Sequence, residues 1–102
     1  MQFIITAYDG KDEGALDRRM AVRGEHLENM QKIKGTGKVI CAGGMLDDAG
    51  KMIGSVLVMD FPTKEQFDVY LETEPYILNN VWQDVHVENF NAVIVNDEKV
   101  GK

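Results

Sequence analysis

Met52-Ile53-Gly54-Ser55-Val56-Leu57-Val58-Met59-Asp60-Phe61 is the most apolar stretch of the chain. Read as a strand, it sends Ile53, Ser55, Leu57 and Met59 to one side and Val56 and Val58 to the other. A sheet with one face in water alternates apolar and polar residues. This strand does not, so both of its sides need cover. Before it, Asp47-Asp48-Ala49-Gly50-Lys51 has the composition of a hairpin loop, and residues 38–46 form its partner strand. After it, Thr63-Lys64-Glu65-Gln66 has capping-box form, and Phe67, Tyr70 and Leu71 give one apolar face. A second helix therefore runs to about residue 72.

Pro75 breaks that helix and opens a short helical turn over residues 75–80. A last strand is expected over 84–95. There Val85 and Val87 share one parity, and Phe90, Ala92 and Ile94 share the other. A bulge near Glu88-Asn89 would put both sets inward. Upstream, residues 2–8 read as a first strand, with Phe3, Ile5 and Ala7 opposed to Ile4 and Tyr8. Residues 15–34 hold no proline, and Leu16, Met20, Leu27 and Met30 fall at helical spacing, so a long first helix ends before Gly35 and Gly37. The order β-α-β-β-α-β is the ferredoxin-like α+β pattern, an antiparallel sheet with both helices on one face. The cheapest cover for the other face is a second copy, as a two-fold homodimer.

The chain is 102 residues long, the size of one domain, here residues 1–95, with 96–102 expected to be a flexible tail. Its 17 acids outnumber 11 bases for a net charge of −6, which argues against nucleic acid and anionic membranes as partners. No apolar run approaches a membrane span, and the first residues read as a strand rather than a signal peptide. Cys41 is the single cysteine, so no internal disulfide forms and the cytoplasm is the expected location. It is expected to be a small core hydrophobe.

The first helix carries the most informative anomaly. On a helical wheel Leu16, Met20, Val22, Leu27, Met30 and Ile33 span one broad arc, and Arg19, Arg23 and His26 fall inside it. Asp17, Ala21, Gly24, Glu25, Glu28 and Lys32 make the outer face. A buried arginine needs a partner to offset its desolvation. One reading is a pair of snorkelling arginines and a core-edge histidine. The other is a polar site in which His26 is a general acid/base and the arginines hold an oxyanion. A histidine base needs a third group to fix its tautomer. Glu74, at the break after the second helix, can supply it, or can cap the short turn, or both. Ser55 puts one hydroxyl on an apolar face, and Gly54 permits a close approach.

No metal-ligand spacing, nucleotide-binding glycine motif or serine-hydrolase elbow is present, so neither metal nor cofactor is expected. His86, set between Val85 and Val87, points away from them to a surface or interface.

Arg23-Gly24-Glu25-His26-Leu27, a strand ending Tyr8-Asp9, Ala42-Gly43-Gly44, Gly54-Ser55, Glu74-Pro75-Tyr76 and Val85-His86-Val87 reaching Phe90 occur here in one order. The ordered set resembles the YciI-like (YCII-related domain) proteins over about residues 1–95. The resemblance implies a dimeric α+β barrel with a cavity between the first helix and the sheet. It also implies an active site built on a histidine–aspartate pair, with His26 in the histidine's place. The family's Asp-Pro-Tyr is here Glu74-Pro75-Tyr76, one methylene longer at the acid. The family includes a dehydrochlorinase of a chlorinated hydroxyhydroquinone, and folds of the same class include muconolactone isomerases and cofactor-free monooxygenases.

The leading expectation is a small cofactor-independent lyase or isomerase that moves a proton on an anionic or phenolic molecule. His26 and Glu74 would be catalytic, Arg23 and Arg19 would hold the anion, and Ser55 and Tyr76 would line the pocket. A non-catalytic dimeric binding protein and, more weakly, a barrel monooxygenase are the alternatives.

Overall fold

A computed structural model describes residues 1–102. The elements are β1 (Gln2–Asp9), α1 (Ala15–Lys32), β2 (Lys38–Leu46), β3 (Met52–Asp60), α2 (Lys64–Thr73), α3 (Pro75–Leu78), β4 (Trp82–Phe90), β5 (Ile94–Val95) and β6 (Glu98–Lys99). The first seven form the expected β-α-β-β-α-β order, with α3 as the short turn. Strands β2-β3-β1-β4 lie side by side and all pair antiparallel, which is the ferredoxin-like topology. Thr63 caps α2 by accepting the Gln66 amide at 3.2 Å, and Pro75 is the first residue of α3.

Cross-strand partners share a face. Ile5 stands opposite Leu57 and Phe3 opposite Met59, and all four are fully buried beneath the helices. Phe61, Phe67, Tyr70, Val22 and Met30 close this core. Phe3 stacks on Phe67 at 4.1 Å. Each such aromatic or aliphatic side chain contributes about 1.5–3 kcal/mol by leaving water. Gly54 lets two strands meet closely, since a Cβ there would sit 2.4 Å from the Ala7 carbonyl oxygen.

The other face carries no helix. Ile4 pairs with Val58, Thr6 with Val56, and Cys41 with Val58. Ile4, Val56 and Val58 are half-buried there, while Tyr8 and Phe90 are exposed. No helix is long and apolar enough to cross a membrane.

Four expectations need correction. Cys41 is exposed, because β2 is an edge strand and a register shift between Val39 and Cys41 turns it to the open face. The last strand begins at Trp82 and ends at Phe90, and its irregularity lies opposite Tyr8/Asp9, not at Glu88-Asn89. Ile94–Val95 instead pairs with Glu98–Lys99, so the chain end turns back as a hairpin where a frayed tail was expected. On α1, Met20 and Leu27 are exposed, and the buried stripe is Ala15, Arg19, Val22, His26, Met30 and Ile33. The stripe therefore centres on the two ionisable residues, because their partners lie under the helix.

Candidate active site

Arg19 and His26 stand seven residues apart on α1, two turns along one face. Both are buried, and each meets an acid from another element. Asp9 ends β1 on the same parity as Phe3, Ile5 and Ala7, so its carboxylate points under the helices. Arg19 Nη1 donates to both Asp9 oxygens at 3.1 Å, and Nη2 donates to Ser55 Oγ at 2.8 Å. The guanidinium carbon lies 4.9 Å from the centre of the Tyr76 ring. Arg19 Nε is buried without a partner.

Glu74 sits at the joint between α2 and α3 and is wholly buried. Its extended backbone (φ −66°, ψ 115°) ends α2 and lets the side chain turn back. Oε1 meets His26 Nδ1 at 2.5 Å and accepts the Tyr76 amide at 3.1 Å, while Oε2 accepts the Tyr70 hydroxyl at 2.5 Å. Three partners converge on the carboxylate, which is what a buried charge requires. Glu74 therefore meets the histidine and caps the short helix at once.

His26 is clamped between aromatic rings. It stacks on Tyr76 at 4.1 Å with an 11° interplanar angle, and Trp82 stands edge-on at 5.9 Å. With Nδ1 on Glu74, Nε2 at the opposite edge of the ring makes no protein hydrogen bond. A cavity of about 150 Å³ opens between α1 and strands β2 and β3. His26, Arg19, Arg23, Ser55 and Tyr76 line it, with Leu27, Leu57, Met52, Ala42 and the side-chain-free Gly43 and Gly44 completing the wall.

Five of the six residues named from the sequence thus share one cavity, and Glu74 lies directly behind the histidine. Arg23 is exposed, at the rim. Arg19 is different in kind: its charge is already answered by Asp9, which makes it part of the floor. Burial raises the Tyr76 phenol above its ordinary value, against the pull of Arg19 and Arg23. Burial, and then the Glu74 charge and hydrogen bond, push Tyr70 up strongly. His86 lies outside the cavity, exposed and 2.9 Å from Asp84. No three His, Cys, Asp or Glu side chains converge as metal ligands.

Asp9, Tyr70 and Trp82 belong to the site, and the sequence analysis assigned none of them to it. Two signals were available. Asp9 continues the buried parity of β1, where a buried arginine needs an acid. Tyr70 precedes Glu74 by four residues, one helical turn.

Over 99 residues the chain is 29% identical to Protein YciI of Escherichia coli, covering 91% of this chain and 99% of that one. It is 26% identical over 99 residues to an uncharacterized protein of Haemophilus influenzae, with the same coverage. Among solved structures it resembles a 5-chloro-2-hydroxyhydroquinone dehydrochlorinase from Burkholderia phenoliruptrix, solved with 2,5-dihydroxybenzoquinone. The TM-score is 0.72 at 23% identity, over 88% of this chain and 93% of that one. It also resembles a dimeric ferredoxin-like protein of unknown function from Jannaschia, with TM-score 0.58 at 14% identity over 89% and 98%. The two structures share its fold. The YCII-related domain matches residues 1–91, which take in the whole four-stranded sheet, its helices and every residue that lines the cavity, and the chain belongs to that family.

Proposed function

We propose that this protein is a small acid–base enzyme of the lyase or isomerase type, acting without a cofactor on an anionic or phenolic molecule of about one ring. The observation that carries the reading is the histidine with one nitrogen held by a buried carboxylate and the other free beside a cavity. Glu74 favours the tautomer with the proton on Nδ1, which leaves the Nε2 lone pair as the base. Nε2 takes a proton from a substrate O–H or C–H, and the electron pair stays on the substrate as a phenolate or enolate. Arg23 at the rim faces that negative charge, and Glu74 balances the imidazolium. Returning the proton to another atom completes an isomerisation. Departure of an anionic leaving group with the electron pair completes an elimination. The dehydrochlorinase neighbour, an enzyme of the second kind, supports the reading. A cavity near 150 Å³ suits one small ring.

The test is a panel of hydroxylated quinones, dihydroxyarenes and enol acids, incubated in heavy water and followed by NMR. Catalysed deuterium uptake or loss of a leaving group supports the proposal. Tight binding of panel members with no conversion of any favours the alternative of a binding protein.

A second observation favours a homodimer closed through the open sheet face. The single chain exposes 6548 Å², against roughly 5,800 Å² for a globular monomer of its mass. The apolar residues Tyr8 and Phe90 are exposed on that face. The Jannaschia structure, named as dimeric, has the same fold. Exposed Cys41 suits a reducing, cytoplasmic setting.

A further inference from the structure

Ser55 Oγ accepts two hydrogen bonds, from Arg19 Nη2 at 2.8 Å and from Trp82 Nε1 at 3.1 Å. Both donors are obligatory, since a guanidinium and an indole N–H cannot accept. A hydroxyl has two lone pairs and one proton, so here both lone pairs are taken. The proton is left, and no protein acceptor meets it. Ser55 is 2% exposed and lines the cavity.

The surroundings repeat the same polarity. Arg19 Nε is a buried N–H with no partner, and Asp9 holds Nη1 of that guanidinium in place. Opposite Ser55 on β2 stands Gly44. A Cβ there would press on Met52 at 3.2 Å and reach Arg19 Nη2 at 3.5 Å, so its absence keeps this end of the cavity open.

We infer that Ser55 is a fixed hydrogen-bond donor that selects a ligand atom with a free lone pair, a carbonyl or oxyanion oxygen above all. The inference rests on the acid–base reading of the cavity and sharpens its ligand class. The ligand carries a carbonyl or oxyanion oxygen at Ser55 and an acidic O–H or C–H at His26. Hydroxy-carbonyl compounds and the monoanions of dihydroxyarenes meet both requirements. An ammonium group fails at Ser55, because it has no lone pair to accept the hydroxyl proton and finds none free on the serine oxygen. The two incoming bonds also polarise the hydroxyl, which strengthens the bond it gives.

Tropone and cycloheptatriene are uncharged seven-membered rings that differ in one carbonyl oxygen, and they serve as probes. The whole protein should bind tropone on the order of 10-fold or more tightly than cycloheptatriene. In Ser55→Ala the preference should collapse to within about 3-fold, the ligand and protein deletions forming one cycle. That variant strips Arg19 and Trp82 of their acceptor and risks misfolding. Ser55→Cys keeps a weak acceptor for them and a feeble donor, and should also lose most of the preference. No preference in the natural protein, or one left intact in the folded variants, overturns the inference. The acid–base reading fails separately: full turnover by His26→Gln would remove it and leave the Ser55 preference standing.

Discussion

Glu74→Ala removes the group on which α1, α2 and α3 meet. The natural carboxylate is wholly buried and bonded to His26 Nδ1, the Tyr70 hydroxyl and the Tyr76 amide. Truncation strands all three partners where water does not easily reach. Each unsatisfied donor costs about 1–3 kcal/mol. Tyr70 can rotate its hydroxyl and His26 can change tautomer, so the sum is not simply additive. A loss of about 3–5 kcal/mol follows, comparable to breaking a buried ion pair. A domain of this size has only about 5–15 kcal/mol in all. Glu74→Gln is milder, at about 1–2 kcal/mol, because its carbonyl oxygen still accepts from His26 and Tyr76. Urea unfolding followed by circular dichroism, with an unchanged m-value, is the assay. A Glu74→Ala cost below about 1 kcal/mol would mean that water or another acceptor replaces the carboxylate, and that Glu74 does not tie the three helices together.

Asp9→Ala should cost about 3–5 kcal/mol in the same assay, because it leaves the Arg19 charge buried and unpaired. Stability should also fall in alkali. The folded Tyr70 pKa is raised above its ordinary 10.0 by burial and by Glu74, so the folded state holds that proton more tightly. Its contribution is complete below the unfolded value and is lost as pH rises above it. Tyr70→Phe should flatten that part of the pH–stability curve, and a curve of unchanged slope would count against the buried phenol. Val58→Lys places a charge at the centre of the open sheet face and should give a folded monomer of 11.5 kDa by light scattering. A dimer that survives this change would not be closed through that face.

The fold was legible because its signals are periodic or terminal. The double-sided apolar run at Met52, the capping box at Thr63 and the glycines after α1 mark local structure without tertiary knowledge. His26 and Glu74 were legible for the opposite reason, as ionisable groups where periodicity or chain geometry calls for something else. Arg19 was legible as a buried cation, but its partner was not. The first strand reads as residues 2–8, which leaves Asp9 just past its end, and the sheet register extends β1 to Asp9 beneath α1. Trp82 was missed because the last strand was placed two residues late. Cys41 failed for a related reason: a shift of one residue in an edge strand exchanges the two faces. Met20 and Leu27 misled because a stripe wide enough to be core on the wheel extends past the sheet it covers. Leu27 instead becomes part of the cavity wall.

The proposed reaction needs His26 as the base at the cavity, and the rate without it is the most direct measure. On whichever panel compound the natural protein converts, the single-turnover rate of His26→Gln should be compared under saturation. The glutamine side chain keeps a polar group toward Glu74 and cannot take up the proton. The variant should fold, still bind the compound and be slower by about 10² to 10⁴. Equal rates in the two proteins would contradict that role for His26.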